Sequence, residues 1–266
     1  MENIFSVKDK VIVIIGGGGY LGKVICEYMS AYEAIVYSCD IQHSTEDNEK
    51  IHYRVIDATS KEKIESLRDE IISREKRVDV LINTVTMKGN DFYLPFEEVS
   101  LEGWEIGLKG NLTIPFLTCQ AFIPIMKEKE NGSIINISSH YGLVGNDQRI
   151  YEGSNLHEIY AKDSPDIKRI YSHGVYNAAK GGLNNFSRYL AAYYGSDNIR
   201  VNTVSPGGLL HEKENETFLE KYGDKVPLGR KGKFEEIVGA AIYLASNAST
   251  YVTGHNLVVD GGYTCW

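Results

Sequence analysis

The chain has 266 residues, 42% hydrophobic and 24% charged, which suits one large α/β domain with a sizeable buried core. A formal net charge of −8 argues against a nucleic-acid or anionic-membrane partner, since neither attracts an acidic surface. No apolar stretch reaches the about 20 residues that span a bilayer; the longest, 111–126, is broken by Pro115, Gln120 and Pro124. Residues 1–10 lack the apolar region and small-residue cleavage site of a secretory signal. Cys26, Cys39, Cys119 and Cys265 are scattered, with no C-x-x-C pair and no His/Cys cluster. The expectation is free thiols in a cytoplasmic protein with no structural metal.

In chain order, short β-type runs alternate with helical patterns. Val11–Ile15 is an apolar run ending at Gly16, and Tyr20–Ala31 follows with helical spacing. Strands are predicted at Ala34–Cys39, ending at Asp40, and Ile51–Ile56, ending at Asp57. Lys61–Ser73 reads as an amphipathic helix with Ile64, Leu67, Ile71 and Ile72 inward. Val78–Ile82 is a strand, 104–129 a long helical stretch, and Ser133–Ile137 a strand. Val175–Tyr194 is helical, Arg200–Val204 a strand, Phe234–Ala245 a helix and Asn256–Val259 a last strand. Alternation of this kind implies right-handed βαβ units and a doubly wound parallel sheet covered on both faces. With no repeat and no linker, the reading is one domain over 1–266. The exception is 146–172, a polar segment without clear period, which predicts a functional or mobile loop.

Between the first strand and the first helix stand Gly16, Gly17, Gly18, Gly19, Tyr20, Leu21 and Gly22. Phosphates need bare backbone N–H groups, a tight turn and close approach, and glycine supplies all three. Gly16, Gly19 and Gly22 match G-x-x-G-x-x-G in the context that a dinucleotide site requires. Asp40 ends the second strand 18 residues after Gly22. An acid there accepts hydrogen bonds from both ribose hydroxyls and repels a 2′-phosphate, and no Lys or Arg occurs at 41–49 to neutralise one. NAD is therefore expected in preference to NADP. Asp57, followed by Ala58, is placed either to contact the adenine or to cap a turn.

Tyr176 is the only one of the 18 tyrosines with Lys four residues later, at Lys180. Residues i and i+4 share a helix face, so a phenol and an ammonium sit together. Ser139 closes the fifth strand.

With these pieces in order, the chain resembles the short-chain dehydrogenase/reductase family over nearly its whole length. The resemblance is carried by the glycine loop, Asp57, Gly110-Asn111-Leu112, Ile135-Asn136-Ile137-Ser138-Ser139, Tyr176 with Lys180, Arg200-Val201-Asn202, Pro206-Gly207, and Val259-Asp260-Gly261-Gly262. It implies a Rossmann fold and a catalytic tetrad of Asn111, Ser139, Tyr176 and Lys180. Cofactor contacts are implied at Gly16, Gly19, Tyr20, Leu21, Gly22, Asp40, Asp57, Ala58, Asn83, Tyr176, Lys180, Pro206 and Gly207. Tyr176 would exchange a proton with an alcohol or ketone. Ser139 would orient the substrate oxygen, Lys180 would hold the nicotinamide ribose, and Asn111 would hold a relay water. A free phenol has a pKa of about 10, and bringing it to neutrality takes about 4 kcal/mol of differential stabilisation, expected from Lys180 and the oxidised nicotinamide.

The sequence departs from the family in four places. Ile15 and Tyr20 replace the usual Thr and Gly. The usual Asn-Asn-Ala-Gly reads Asn83-Thr84-Val85-Thr86. The Ser139–Tyr176 gap is 37 residues, unusually long. Gly208-Leu209-Leu210-His211 lacks the usual threonine.

The long gap places an insertion, 146–172, at the active-site mouth. Its hydrogen-bonding groups, with Tyr151, Asn155 and His157 as the substrate candidates, suit a polyhydroxylated or phosphate-bearing small molecule. Ile150-Tyr151-Glu152-Gly153 is similar to short-chain reductases of bacterial surface-glycan clusters, including flagellin-sugar pathways. The expected activity is interconversion of a secondary alcohol and a ketone on a sugar or sugar-nucleotide. A 3-oxoacyl-thioester reductase, an epimerase-type cycle that recycles NAD, and a non-catalytic dinucleotide-binding regulator stay open as alternatives. The helices at 104–129 and 176–194 carry apolar outer residues, and the resemblance implies that they pair subunits into a homodimer or homotetramer. Cys265-Trp266 is expected to pack.

Overall fold

In the computed structural model, which describes residues 3–43, 50–162 and 167–266, seven parallel strands form one sheet. They are Val11–Ile15 (β1), Ile35–Asp40 (β2), Ile51–Val55 (β3), Val80–Asn83 (β4), Gly132–Ile137 (β5), Ile199–Pro206 (β6) and Asn256–Val259 (β7), in the order β3-β2-β1-β4-β5-β6-β7. Central strands read as continuous apolar runs because both faces are covered. In β1, Val11, Val13 and Ile15 pack into one apolar cluster with Phe122, Met126 and Leu190. Ile12 and Ile14 pack into the other with Ile25, Met29 and Leu244. The first cluster lies under Lys61–Glu75 (α2), Ile114–Glu128 (α4) and Gly174–Tyr194 (α6); the second lies under Tyr20–Ala31 (α1) and Glu235–Ala245 (α8). This is the doubly wound Rossmann arrangement that the alternating pattern predicts. The strand order reverses between β1 and β4, and the carboxyl ends there bound a crevice suited to a ligand.

Three local departures from the sequence reading bear on the site. First, the helical stretch predicted at 104–129 is not continuous. Leu101–Leu108 (α3) leads into a π-helical turn, Lys109–Thr113, before α4 begins. Pro115 lacks the N–H that an α-helix would place on the Asn111 carbonyl four residues earlier. The chain widens there, as helices often do at functional sites.

Second, the insertion is built, not irregular, over 146–162 and 167–172; the rest of it, 163–166, lies outside the described residues. It contains a 3₁₀ turn at Gln148–Tyr151 and a short helix at Leu156–Tyr160 (α5). Ile150, Tyr151, Leu156, Ala161 and Ile170 form a third apolar cluster with Phe92, Tyr93, Phe218, Tyr222 and Tyr263. Third, Glu216–Gly223 (α7) follows β6 and presents Phe218 and Tyr222, four residues apart, to that cluster. Its first turn is capped by Asn215, whose side chain accepts from the Phe218 N–H.

No helix among the described residues is long and apolar enough to cross a membrane. The expected packing of the tail is not met within one chain: Trp266 is 79% exposed and Cys265 is exposed.

Candidate active site

Gly16, Gly19, Tyr20, Leu21, Gly22, Asp40, Asp57 and Ala58 line one cleft of about 1110 Å³. Gly16 has φ of 89°, and a Cβ on Gly22 would lie 2.1 Å from the Gly16 carbonyl oxygen, so the loop folds back on itself as only glycines allow. The α1 N-terminus has no side-chain cap and no acidic residue in its first turn. Its free N–H groups and positive dipole end suit a phosphate. Thr84, at the departure from the usual motif, donates its hydroxyl to the Ile15 and Gly16 carbonyls at 3.0 and 2.9 Å, so a side chain braces the loop from β4.

The Asp40 carboxylate accepts from the Gly18 N–H at 2.9 Å and from the Ile41 N–H at 2.7 Å. It is thus fixed against the glycine loop, with further lone pairs left for a ligand. Asp57 accepts from the Thr59 N–H at 2.9 Å and the Thr59 hydroxyl at 2.7 Å, and these bonds hold its carboxyl below the usual range. It caps its turn and lines the cleft as well. These residues fit a dinucleotide: a bare helix N-terminus, a close glycine approach and an acid at the end of β2 all face one crevice.

Asn83 ends β4 and directly precedes Thr84, which lines the cleft. The Asn83 side chain is buried in a chain of amides and hydroxyls, accepting from Thr118 Oγ1 and donating to Asn136 Oδ1, both at 2.8 Å. Asn136 continues the chain to Ser187 at 2.9 Å. This ladder ties α4, β4, β5 and α6 together, and the Asn83 side chain does not line the cleft. Pro206 and Gly207 lie at the end of β6 outside the cleft lining. The Pro206 carbonyl is held by His140 Nδ1 at 3.0 Å. His140 is buried, its pKa lowered to about 4 by desolvation, so it is neutral and acts as a donor to that carbonyl. Sequence reading passed over it; its only signal is adjacency to Ser139.

The structure brings Ser139, Tyr176 and Lys180 together at the end of β5 and the start of α6. Ser138 is turned away, its hydroxyl donating to the Lys180 carbonyl at 3.1 Å. The Ser139 hydroxyl accepts from the Tyr141 N–H at 3.1 Å and acts on the Tyr176 phenol, working to lower its pKa. Lys180 Nζ donates to the Ile137 carbonyl at 2.8 Å and lies 5.5 Å from the Tyr176 ring centre. Lys180 is 2% exposed, and burial lowers its pKa to about 7. Burial raises the Tyr176 pKa above its ordinary value; the expected drop belongs to the site with oxidised nicotinamide bound. The reason for the rise is physical: among the described residues no carboxylate stabilises the Lys180 ammonium, so burial acts on both groups and favours both neutral forms. Asn111 is fully buried in the π turn, with Nδ2 donating to the Gly107 carbonyl at 2.9 Å and Oδ1 without a partner. A buried acceptor left open is what a bound water would satisfy.

Tyr151 belongs to this centre. Its hydroxyl is 3.3 Å from that of Tyr141, and its electrostatic influence reaches Tyr176. Asn155 does not aim at a substrate: it donates to the Lys213 carbonyl at 2.7 Å and accepts from the Asn215 N–H at 2.9 Å. With the Asp147–Lys225 ion pair at 2.7 Å and the Lys221 ammonium on the Glu152 carbonyl at 2.8 Å, it clasps the insertion to the α7 segment. His157 Nε2 lies 3.9 Å from Glu158, and its buried Nδ1 has no partner. Beneath the clasp, Lys231 and Glu214 form a buried ion pair, and Tyr160 of the insertion donates to Glu214 at 3.4 Å. From Tyr160, ring contacts run through His211 to Tyr20, each at 5.9 Å between centres. The insertion therefore reaches the edge of the glycine loop, where Tyr20 is 72% exposed.

The comparisons with known proteins agree with this geometry. Residues 10–154 match the family described as short chain dehydrogenase, and residues 166–264 match that described as Enoyl-(Acyl carrier protein) reductase. D-threitol dehydrogenase of Mycolicibacterium smegmatis is 29% identical, over 98% of this chain and 95% of its own. Post-translational flagellin modification protein A of Campylobacter coli is 28% identical, over 97% of this chain and 99% of its own. A short chain dehydrogenase from Leptospira borgpetersenii, solved with bound NAD+, superposes with a TM-score of 0.86 at 31% identity, covering 99% of this chain and 96% of its own. Fold, glycine cleft, serine–tyrosine–lysine centre and likeness converge: the chain belongs to the single-domain branch of the short-chain dehydrogenase/reductase family, and it is an oxidoreductase that uses a nicotinamide dinucleotide.

Proposed function

We propose that the enzyme interconverts a secondary alcohol and a ketone on a sugar or sugar-nucleotide, with NAD in preference to NADP, in surface-glycan biosynthesis. The observation that carries the reading is the roof beside Tyr176: an insertion rich in hydroxyl and aromatic groups, packed in one cluster with the Tyr176 ring and clasped to α7. Pyranose rings suit such surfaces, which pair apolar faces with hydroxyls. The likeness to a D-threitol dehydrogenase and a flagellin modification protein supports it.

In this reading Tyr176 carries the proton to or from the reacting oxygen, and Ser139 holds that oxygen in line. Lys180, anchored on the Ile137 carbonyl, stands beside the phenol; protonated, it favours phenolate. Asn111 Oδ1, buried without a partner, is the acceptor for the relay water. Bound nicotinamide supplies or accepts the hydride. Gly16, Gly19, Tyr20, Leu21, Gly22, Asp40, Asp57 and Ala58 hold the dinucleotide, with Pro206 and Gly207 at the nicotinamide end. Asn83 contributes through its backbone and the amide ladder. Tyr151 faces the substrate, while Asn155 positions the roof. The whole chain serves as one unit, and the exposed Phe116, Tyr189 and Tyr193 on α4 and α6 support pairing of these helices in a homodimer or homotetramer.

The test is turnover of the purified enzyme with NAD and with NADP on polyols, aldoses, nucleotide-sugars and 3-oxoacyl thioesters. Activity on polyhydroxylated substrates with net NADH formation supports the reading. Activity confined to the thioesters refutes it, product without net NADH indicates an epimerase-type cycle, and NAD binding without turnover of any class indicates a regulator.

A further inference from the structure

We propose that Lys88 is an anion-binding residue of the substrate site, so that the polyhydroxylated substrate carries a carboxylate or phosphate; this rests on the sugar-like reading above. Lys88 follows β4 and stands at the wall of the dinucleotide cleft formed by residues 84–88, while its ring neighbours lead away from the glycine loop toward Tyr176. Its ammonium donates to the Tyr93 hydroxyl at 2.6 Å and lies 5.7, 5.2 and 5.4 Å from the ring centres of Phe92, Tyr93 and Tyr160. Among the described residues it pairs with no carboxylate, and burial alone accounts for the lowering of its pKa.

The contrast with Lys231 is informative. That lysine also sits over aromatic rings, 5.0 Å from Phe218 and 5.7 Å from Tyr222, but its charge is met by Glu214. A desolvated ammonium is kept charged by a counter-ion. Lys231 has one within the chain, and Lys88 has donors left for one that arrives with a ligand.

The position of Lys88 points to substrate rather than to the dinucleotide's phosphates. The Phe92 ring that Lys88 overlies packs tilted against His173, with ring centres 3.3 Å apart, and His173 meets the Tyr176 ring edge-on at 6.5 Å. The positive charge of Lys88 is felt at His173, three residues before Tyr176. Two ring contacts thus separate Lys88 from the proton-carrying phenol, whereas the bare N-terminus of α1 serves phosphates at the glycine loop. The insertion completes the cage through Tyr160, which gives 146–172 a second role beside covering the site.

The experiment compares kcat and KM on neutral and anionic partners of the same skeleton: D-arabinitol with D-arabinitol 5-phosphate, and D-galactose with D-galacturonate. A charge-assisted hydrogen bond of about 1.5–3 kcal/mol corresponds to about 10- to 150-fold in kcat/KM. The wild-type enzyme should favour one of the anionic members by about that factor. Lys88→Met should remove the preference, chiefly through KM on the anionic members, with a smaller loss on the neutral substrates and a smaller loss of NAD affinity. Lys88→Arg should restore most of it. The phosphate and carboxylate arms identify which anion is taken. Equal or better turnover of the neutral members by wild type overturns the proposal, as does an equal loss by Lys88→Met on both members or a matching loss of NAD affinity. Turnover of 3-oxoacyl thioesters with none of the four carbohydrates overturns the underlying reading instead.

Discussion

Asp40→Ser should relax the choice between NAD and NADP. The Asp40 carboxylate is held at the end of β2 by the Gly18 and Ile41 N–H groups, at 2.9 and 2.7 Å, so it cannot swing away from an incoming ribose. Two unit charges about 4 Å apart repel by about 1 kcal/mol in bulk water and about 4 kcal/mol at an effective dielectric near 20. Asp40 is half-buried, which places it between these limits. A 2′-phosphate carries a charge of about −1.5 to −2, so the repulsion is about 2–6 kcal/mol. Loss of the hydrogen bonds from ribose hydroxyls to a charged acceptor adds about 1.5–3 kcal/mol. Wild type should favour NAD by at least about 100-fold in kcat/KM. Asp40→Ser keeps an acceptor for ribose, removes the charge and should bring the ratio within about tenfold, mostly by improving NADP. Steady-state kinetics with both cofactors, at one ionic strength because exposed charges are screened, measures this. A wild type indifferent to the 2′-phosphate, or a variant whose ratio does not move, refutes the role assigned to Asp40.

Other outcomes follow from the clasp and the buried charges. Asn155→Ala removes two hydrogen bonds between insertion and α7 segment, worth about 1–3 kcal/mol together; amide exchange should rise in 146–172 and 213–223 and KM should increase, and unchanged exchange would contradict the clasp. Glu214→Gln leaves the Lys231 ammonium buried without a counter-charge and should destabilise by about 3–5 kcal/mol, seen as a lower Tm, with Glu214→Leu/Lys231→Met recovering much of it. Lys180, lowered to about 7, binds fewer protons folded than unfolded between about pH 7 and its ordinary value of 10.5. Stability therefore gains as pH rises through that window, by up to about 1.4 kcal/mol per pH unit, and Lys180→Met should lose that slope in pH-resolved denaturant unfolding. Equal slopes would contradict the burial of an uncompensated ammonium.

The sheet is legible in the sequence because β1, β2 and β5 hold largely apolar runs that close at Gly16, Asp40 and Ser138, and the loops after β1 and β5 carry residues whose chemistry is tied to those ends. Tyr176 and Lys180 are legible because their i, i+4 spacing falls in a chain where Ser139 closes a strand and the glycine loop implies a dinucleotide; the spacing by itself is what chance supplies about once among 18 tyrosines and 19 lysines. The π turn at Lys109–Thr113 is not, since a period read over 104–129 averages away one widened turn. The insertion misleads for a related reason. Ile150, Tyr151 and Leu156 are spaced to meet Phe218 and Tyr222, which are distant in sequence, so they show no local period. The side-chain partners of Asn83 are not legible either: its amide is used by Thr118 and Asn136, 35 and 53 residues away. Helix α7 could have been found from Asn215 as cap with Phe218 and Tyr222 four apart.

The assignment of proton transfer to Tyr176, on a chain otherwise built to bind a dinucleotide, is tested most directly by Tyr176→Phe. The ring and its packing stay, and only the hydroxyl beside Ser139 and Lys180 goes. The measurement is single-turnover formation of NADH on the best alcohol substrate, with NAD affinity determined separately by calorimetry. The account predicts a loss of about 100- to 10,000-fold in the rate, typical of a removed acid–base group, with NAD affinity within a few-fold of wild type. A Tyr176→Phe enzyme that forms NADH at the wild-type rate would contradict it.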